Sequence, residues 1–217
     1  MIECVVFDLD GVIVDSEQVW DDVREQLVRE RGGRWHEGAQ AAMMGMSSPE
    51  WSRYMHDDLG LPESPAEIND EVVRLMLERY RGSLPLIDGA VDAVHRLGGA
   101  AFTLGVASSS NRPLIEAVLE GAGITQRFAV VVSSEEVARG KPAPDVYLEA
   151  VRRLGAEPAQ CAAVEDSSNG LRAACAAGMR VIAFPNAHYP PAPDALGLAD
   201  VVLTSLVELT PELVRAA

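Results

Sequence analysis

An α/β fold with a doubly wound parallel sheet, interrupted after its first strand by a helical insertion, is predicted by three observations. Over residues 85–217, short apolar runs alternate with helical patterns of ten or so residues, the rhythm of βαβ units. The first apolar run, Val5-Val6-Phe7, stops abruptly at Asp8, and Asp10 and Gly11 follow at once. From residue 16 to residue 84, no strand-like run occurs at all.

The opening run reads as a buried strand whose polar end lies at the sheet edge. Past Asp15, residues Val19, Trp20, Val23, Leu27 and Val28 recur at helical spacing, with Ser16 as N-cap and Gly32-Gly33 as the stop. Shorter helical patterns cover 37–44, 49–59 and 65–80, broken at Gly45, Gly60–Pro62 and Gly82. This block, residues 16–84, reads as a helical cap domain joined by two hinges to a core of residues 1–15 and 85–217. The core continues with a helix at 90–97 and a strand at 102–107 that runs into Ser108-Ser109-Ser110-Asn111. A helix at 113–122 then closes at Gly123. Next come a strand at 129–132, a loop with Gly140-Lys141-Pro142, and a helix at 144–154. The strand at 161–164 ends in Glu165-Asp166, followed by a helix at 169–177 and a strand at 181–184. A polar loop at 190–193, a late strand at 201–203 and a terminal helix finish the chain. The whole is a Rossmann-like core carrying an inserted cap.

At 217 residues and 48% hydrophobic, the chain can bury a sizeable core. A formal charge of −15 argues against nucleic acid or an anionic membrane surface as partners. No apolar stretch reaches the length of a membrane span. The first strand has no basic region before it, so no signal peptide is expected and a cytoplasmic location is. Cys4, Cys161 and Cys175 lack metal-ligand spacing and read as reduced core thiols. A monomer or weak dimer is expected. Of eighteen basic residues only Lys141 is a lysine, the rest being arginine. That singles out a position needing a compact ammonium rather than a planar guanidinium.

Parallel strands bring their carboxyl ends to one edge, so Asp8 with Asp10, Ser108, Lys141, and Glu165 with Asp166 can converge. Carboxylates so crowded repel unless a cation or shared proton intervenes, and an all-oxygen donor set without His or Cys favours Mg²⁺. The segments DLDGVIVDSE (8–17), VASSSN (106–111), GKPAPD (140–145) and EDSSNG (165–170) resemble the motifs of the haloacid dehalogenase-like hydrolase superfamily. The likeness is to its branch of β-phosphoglucomutases and small-molecule phosphatases, and it extends over the full chain.

That resemblance implies Asp8 as a nucleophile forming an aspartyl phosphate and Asp10 as general acid and base. It implies Ser108 and Lys141 as holders of the phosphoryl group. It places Mg²⁺ on Asp8, the Asp10 carbonyl and Asp166, with Glu165 ligating directly or through water. Ser109 and Asn111 beside Ser108, and the cap turn Gly45-Met46-Ser47, are the expected substrate and phosphate contacts. Asp10 argues against a dehalogenase, since halide leaves without a proton. A cap without lysine excludes the Schiff-base chemistry of a phosphonatase. The mutases of the branch carry a cap arginine after a Gly-x-Ser turn, but here Ser48 stands there and Arg53 is the nearest substitute. Trp20 and Asn111 likewise replace a histidine and a lysine. A phosphatase of a small phosphorylated metabolite is therefore favoured over a phosphohexomutase, and a non-catalytic phospholigand sensor is the remote third reading. Trp20, Met43, Met44 and Met46 are candidates for an apolar wall over the substrate.

Overall fold

In the computed structural model of the chain, which describes residues 1–43, 46–186 and 188–216, six parallel strands form one sheet. They are β1 (Cys4–Phe7), β2 (Thr103–Ser108), β3 (Phe128–Ser133), β4 (Cys161–Glu165), β5 (Arg180–Ala183) and β6 (Val201–Val202). Their order, β3-β2-β1-β4-β5-β6, is doubly wound, with β1 at the centre between β2 and β4.

Among the described residues, four helices intervene between β1 and the rest: α1 (Glu17–Glu30), α2 (Ala39–Met43), α3 (Ser48–Asp57) and α4 (Pro65–Gly82). Ser64 and Glu67 form a capping box at the start of α4, with Pro65 at its first position. The remaining helices are α5 (Ala90–Gly99), α6 (Arg112–Gly121), α7 (Asp145–Leu154), α8 (Ser168–Ala176), α9 (Pro193–Leu196) and α10 (Pro211–Arg215). The short α9 occupies a stretch adjoining the expected polar loop, its first turn set by Pro193. Among the described residues, no helix is long and apolar enough to cross a membrane.

Alternation along β1 sorts the core into two layers. Val5 and Phe7 face a cluster shared with α5 and α6, while Cys4 and Val6 face α7 and α8. The first cluster runs on without interruption into α1, α3 and α4 through residues such as Leu27, Trp51 and Met76. The helical insertion is therefore packed on the sheet's helical layer by apolar burial, the largest favourable contribution to such contacts. Its two connections also pair with each other: Val14 bridges Leu86, and the Asp15 N–H donates to the Pro85 carbonyl.

Cys4 and Cys161 lie side by side in the β1–β4 register, both buried and both free thiols. Burial pushes the Cys161 thiol up to about 12, which suppresses thiolate chemistry. Cys175, expected in the core, is exposed. The periodicity of α8 set it in a helix but not on which face.

Candidate active site

The strand ends of β1, β2 and β4 and the loop before α7 bring the expected polar residues to one edge of the sheet. A cavity of about 380 Å³ opens there, bounded on the core side by Asp8, Asp10, Lys141 and Asp166. Helices α1–α3 close the other side with Trp20, Met43 and Trp51, joined by Met46 just before α3. The expected apolar wall thus lies against the cavity, except Met44, which falls outside the described residues.

Lys141 is the hub. Its ammonium donates to Asp8 Oδ1 at 2.8 Å and to Glu165 Oε1 at 2.6 Å, with only 3% of the side chain exposed. The ammonium also sits 4.9 Å from the centre of the Tyr147 ring, whose hydroxyl donates to Glu165 Oε1 at 3.0 Å. Burial alone would discharge this lysine, but Asp8 and Glu165 outweigh it and hold the ammonium charged above its ordinary range.

The second oxygen of Glu165 accepts from the N–H groups of Asp166 (2.9 Å) and Ser167 (3.1 Å) and from the Ser167 hydroxyl (3.1 Å). Five donors therefore converge on a carboxylate with no exposed surface. Gly170 makes this possible, because a Cβ there would sit 1.7 Å from Glu165 Oε1.

Burial is the largest influence on Asp8, pushing its carboxyl up to about 8 against the pull of Lys141. Asp166 is pushed up in the same direction by burial and by Glu165. Its nearest side-chain donor is Asn186 Nδ2, at 3.5 Å. Gly11, at φ +76°, gives it room: a Cβ there would lie 1.9 Å from Asp166 Oδ2. Carboxylate oxygens of Asp8, Glu165 and Asp166 all come within 4.8 Å of one another. Three buried carboxylates against one ammonium leave two negative charges in excess, which a hard divalent cation would balance. The residues present fit such an ion.

Asp10 projects beside this cluster, held by four donors. Oδ1 accepts from Ser16 Oγ (2.5 Å) and Trp20 Nε1 (3.3 Å), and Oδ2 from Ser110 Oγ (2.7 Å) and Ser108 Oγ (3.4 Å). Ser16 stands at the start of α1 without capping it, because its hydroxyl is taken by Asp10.

Several expected contacts lie elsewhere. Ser108 has no exposed surface, and its hydroxyl is engaged by Asp10 and the Ser110 N–H, so it supports the site from beneath. Ser109 and Ser110 line the cavity instead. Asn111 turns away from the cavity, accepting from Ser48 Oγ (2.9 Å) and donating to Asn69 Oδ1 (3.0 Å) and Glu135 Oε1 (2.7 Å). Ser47 forms the capping box of α3 with Glu50 and packs against Gly140. Met46 reaches the cavity, Gly45 lies outside the described residues, and Arg53 is exposed.

Sequence reading missed Glu17, Arg24 and Tyr189, which also line the cavity. Arg24 could have been noticed, since it falls one turn after Trp20 on the apolar stripe of α1, where a charge is out of place. Glu17 accepts from Gln40 Nε2 at 3.2 Å, and burial raises its carboxyl to about 7.

The family model of haloacid dehalogenase-like hydrolases matches residues 2–178. Hexitol phosphatase B of Escherichia coli (strain K12) is 32% identical over 212 residues, covering 96% of this chain and 95% of that protein. The bifunctional riboflavin kinase/FMN phosphatase of Arabidopsis thaliana is 32% identical over 95% of this chain, which spans only 54% of that longer protein. Among solved structures, CbbY from Rhodobacter sphaeroides in complex with xylulose-(1,5)bisphosphate superposes with a TM-score of 0.84. That pair is 28% identical, with 96% of each chain covered.

Proposed function

Because this chain belongs to the haloacid dehalogenase-like hydrolases, we propose that it is a Mg²⁺-dependent phosphatase that hydrolyses a small phosphomonoester through an aspartyl phosphate on Asp8. The observation that carries this reading is the buried Asp8–Lys141–Glu165–Asp166 cluster opening, beside Asp10, on a cavity of metabolite size. The relatives named for hexitol and FMN phosphatase activity, and a neighbour holding a sugar bisphosphate, support the substrate class.

A divalent cation would be held by Asp8, Asp166 and the Asp10 carbonyl, and when bound supplies the charge neutralisation that carboxylate attack on a phosphate dianion requires. Lys141 fixes the Asp8 carboxylate by one oxygen and presents positive charge to the phosphoryl group. Asp8 attacks phosphorus, the bond to the substrate oxygen breaks, and Asp10 gives that oxygen its proton. Water then attacks the aspartyl phosphate; Asp10 takes a proton from it, and phosphate leaves with Asp8 restored. Glu165, saturated by donors, serves to hold Lys141 in place. Residues 16–84 act as a cap over the core of residues 1–15 and 85–217, excluding bulk water around the bound substrate.

The test is phosphate release from p-nitrophenyl phosphate and from a panel of sugar, polyol and nucleotide monophosphates, with and without Mg²⁺. Wild type turns over in a Mg²⁺-dependent manner, and Asp8→Asn loses about 10³-fold or more while keeping its circular dichroism. Undiminished turnover in that variant removes Asp8 from the nucleophile's role. Phosphoryl transfer between sugar positions without release would instead favour a mutase.

A further inference from the structure

Arg24 is 5% exposed, yet among the described residues its Nε has no hydrogen-bond partner. Among the described residues, no carboxylate comes within 4.0 Å of its guanidinium. Its immediate company is aromatic. The guanidinium carbon lies 4.4 Å from the centre of the Trp20 ring and 4.9 Å from that of Trp51, the two rings being 5.9 Å apart.

A buried charge without a paired counterion is costly, because the solvent it has lost is not replaced. Two cation–π contacts offset part of this. Arginine cannot escape the cost by losing its proton near neutrality; burial brings it down only to about 10. The neighbouring acids are otherwise engaged or too distant. Asp10 is held by four donors, Glu17 by Gln40, and Asp21 on the same helix lies beyond ion-pair reach. Arg24 nonetheless lines the cavity that also contains Asp8 and Lys141, and it is the arginine that does so among the described residues. The site therefore presents a guanidinium that no carboxylate has paired, set against two aromatic rings, on the helical side of the substrate space.

We propose that Arg24, seated against the adjoining rings of Trp20 and Trp51, is a specificity residue that receives a second anionic group of the substrate, a phosphate or a carboxylate, while the scissile phosphate sits at Asp8. The inference rests on the phosphatase reading and narrows it. The substrate is a phosphomonoester with a second oxyanion, for which the planar, weakly hydrated guanidinium offers paired donors. Trp20 joins the two ends, since its ring stacks on Arg24 and its Nε1–H bonds Asp10.

Two matched pairs of probes separate the sources of the anion: fructose 6-phosphate against fructose 1,6-bisphosphate, and glycerol 3-phosphate against 3-phosphoglycerate. Wild type prefers the doubly anionic member of at least one pair by about tenfold or more in kcat/KM. Arg24→Gln lowers that preference by about tenfold or more, mostly through KM, and Arg24→Lys retains part of it. A wild type with no preference in either pair overturns the proposal without need of any variant. So does a preference that is the same in wild type, Arg24→Gln and Arg24→Lys, which would mark Arg24 as packing only. Mg²⁺-dependent turnover of p-nitrophenyl phosphate by wild type reports separately on the underlying phosphatase reading.

Discussion

Two carboxylates share the ammonium of Lys141, and the side chain that carries it is 3% exposed, so neither partner can turn to water if the geometry is disturbed. Substituting arginine keeps the charge but replaces a point donor by a broad planar fork, in a space bounded by Asp8, Glu165 and the Tyr147 ring. The guanidinium cannot take up both 2.6–2.8 Å contacts without displacing one carboxylate. Lys141→Arg should therefore lose about 10²-fold in kcat, the scale of removing one well-placed donor to the transition state. Steady-state kinetics check this, and turnover within about threefold of wild type would reduce the lone lysine to an accident of composition. Arg24 teaches the converse lesson at the same scale. Composition drew attention to the lysine, whereas this arginine was hidden among sixteen others and visible only as an interruption of an apolar stripe.

The loop from the end of β2 to the start of α6 shows where element-level reasoning stops. Its polar residues were legible as a strand-end cluster, but loops have no period from which to read the direction of each side chain. Ser108 points down to Asp10, Ser109 and Ser110 face the cavity, and Asn111 faces α3 and α4. The helices of the insertion were found because each has a 3.6-residue apolar face, and α3 and α4 open with a serine and a proline. The short α9 was missed because a single turn has no periodicity to detect. The Asn111 geometry assigns it a mechanical task, tying the insertion to the core through Ser48 and Asn69 while binding Glu135. Asn111→Ala leaves a buried Ser48 hydroxyl and the Glu135 carboxylate short of a partner, at a cost of about 1–3 kcal/mol. Urea denaturation should show that loss, and hydrogen exchange should rise at the N-terminal turns of α3 and α4. If stability and exchange hold while KM for phosphate esters rises, Asn111 is a substrate contact after all, as the sequence suggested.

Across the whole molecule, the sheet order places the most buried acids of a strongly acidic chain at the centre, on β1 and β4, where solvent is least available to dilute their repulsion. Burial lifts both Asp8 and Asp166, so the fold concentrates there an electrostatic cost that a divalent cation would relieve. An ion that binds the folded chain and not the unfolded one stabilises by mass action. At a hundred times its dissociation constant the gain is about 2.7 kcal/mol, or roughly 5–10 °C in Tm for a chain of this size. Thermal unfolding with Mg²⁺ against a chelator should show that rise in the absence of any substrate, so the result does not depend on turnover. Asp166→Asn removes one of the two carboxylates proposed to hold the ion. It should raise the Tm of the metal-free protein slightly, by relieving repulsion, while abolishing most of the Mg²⁺ increment. An equal increment in wild type and Asp166→Asn would place the ion elsewhere, and no increment in wild type would mean that the excess negative charge is balanced by protons on Asp8 and Asp166 instead.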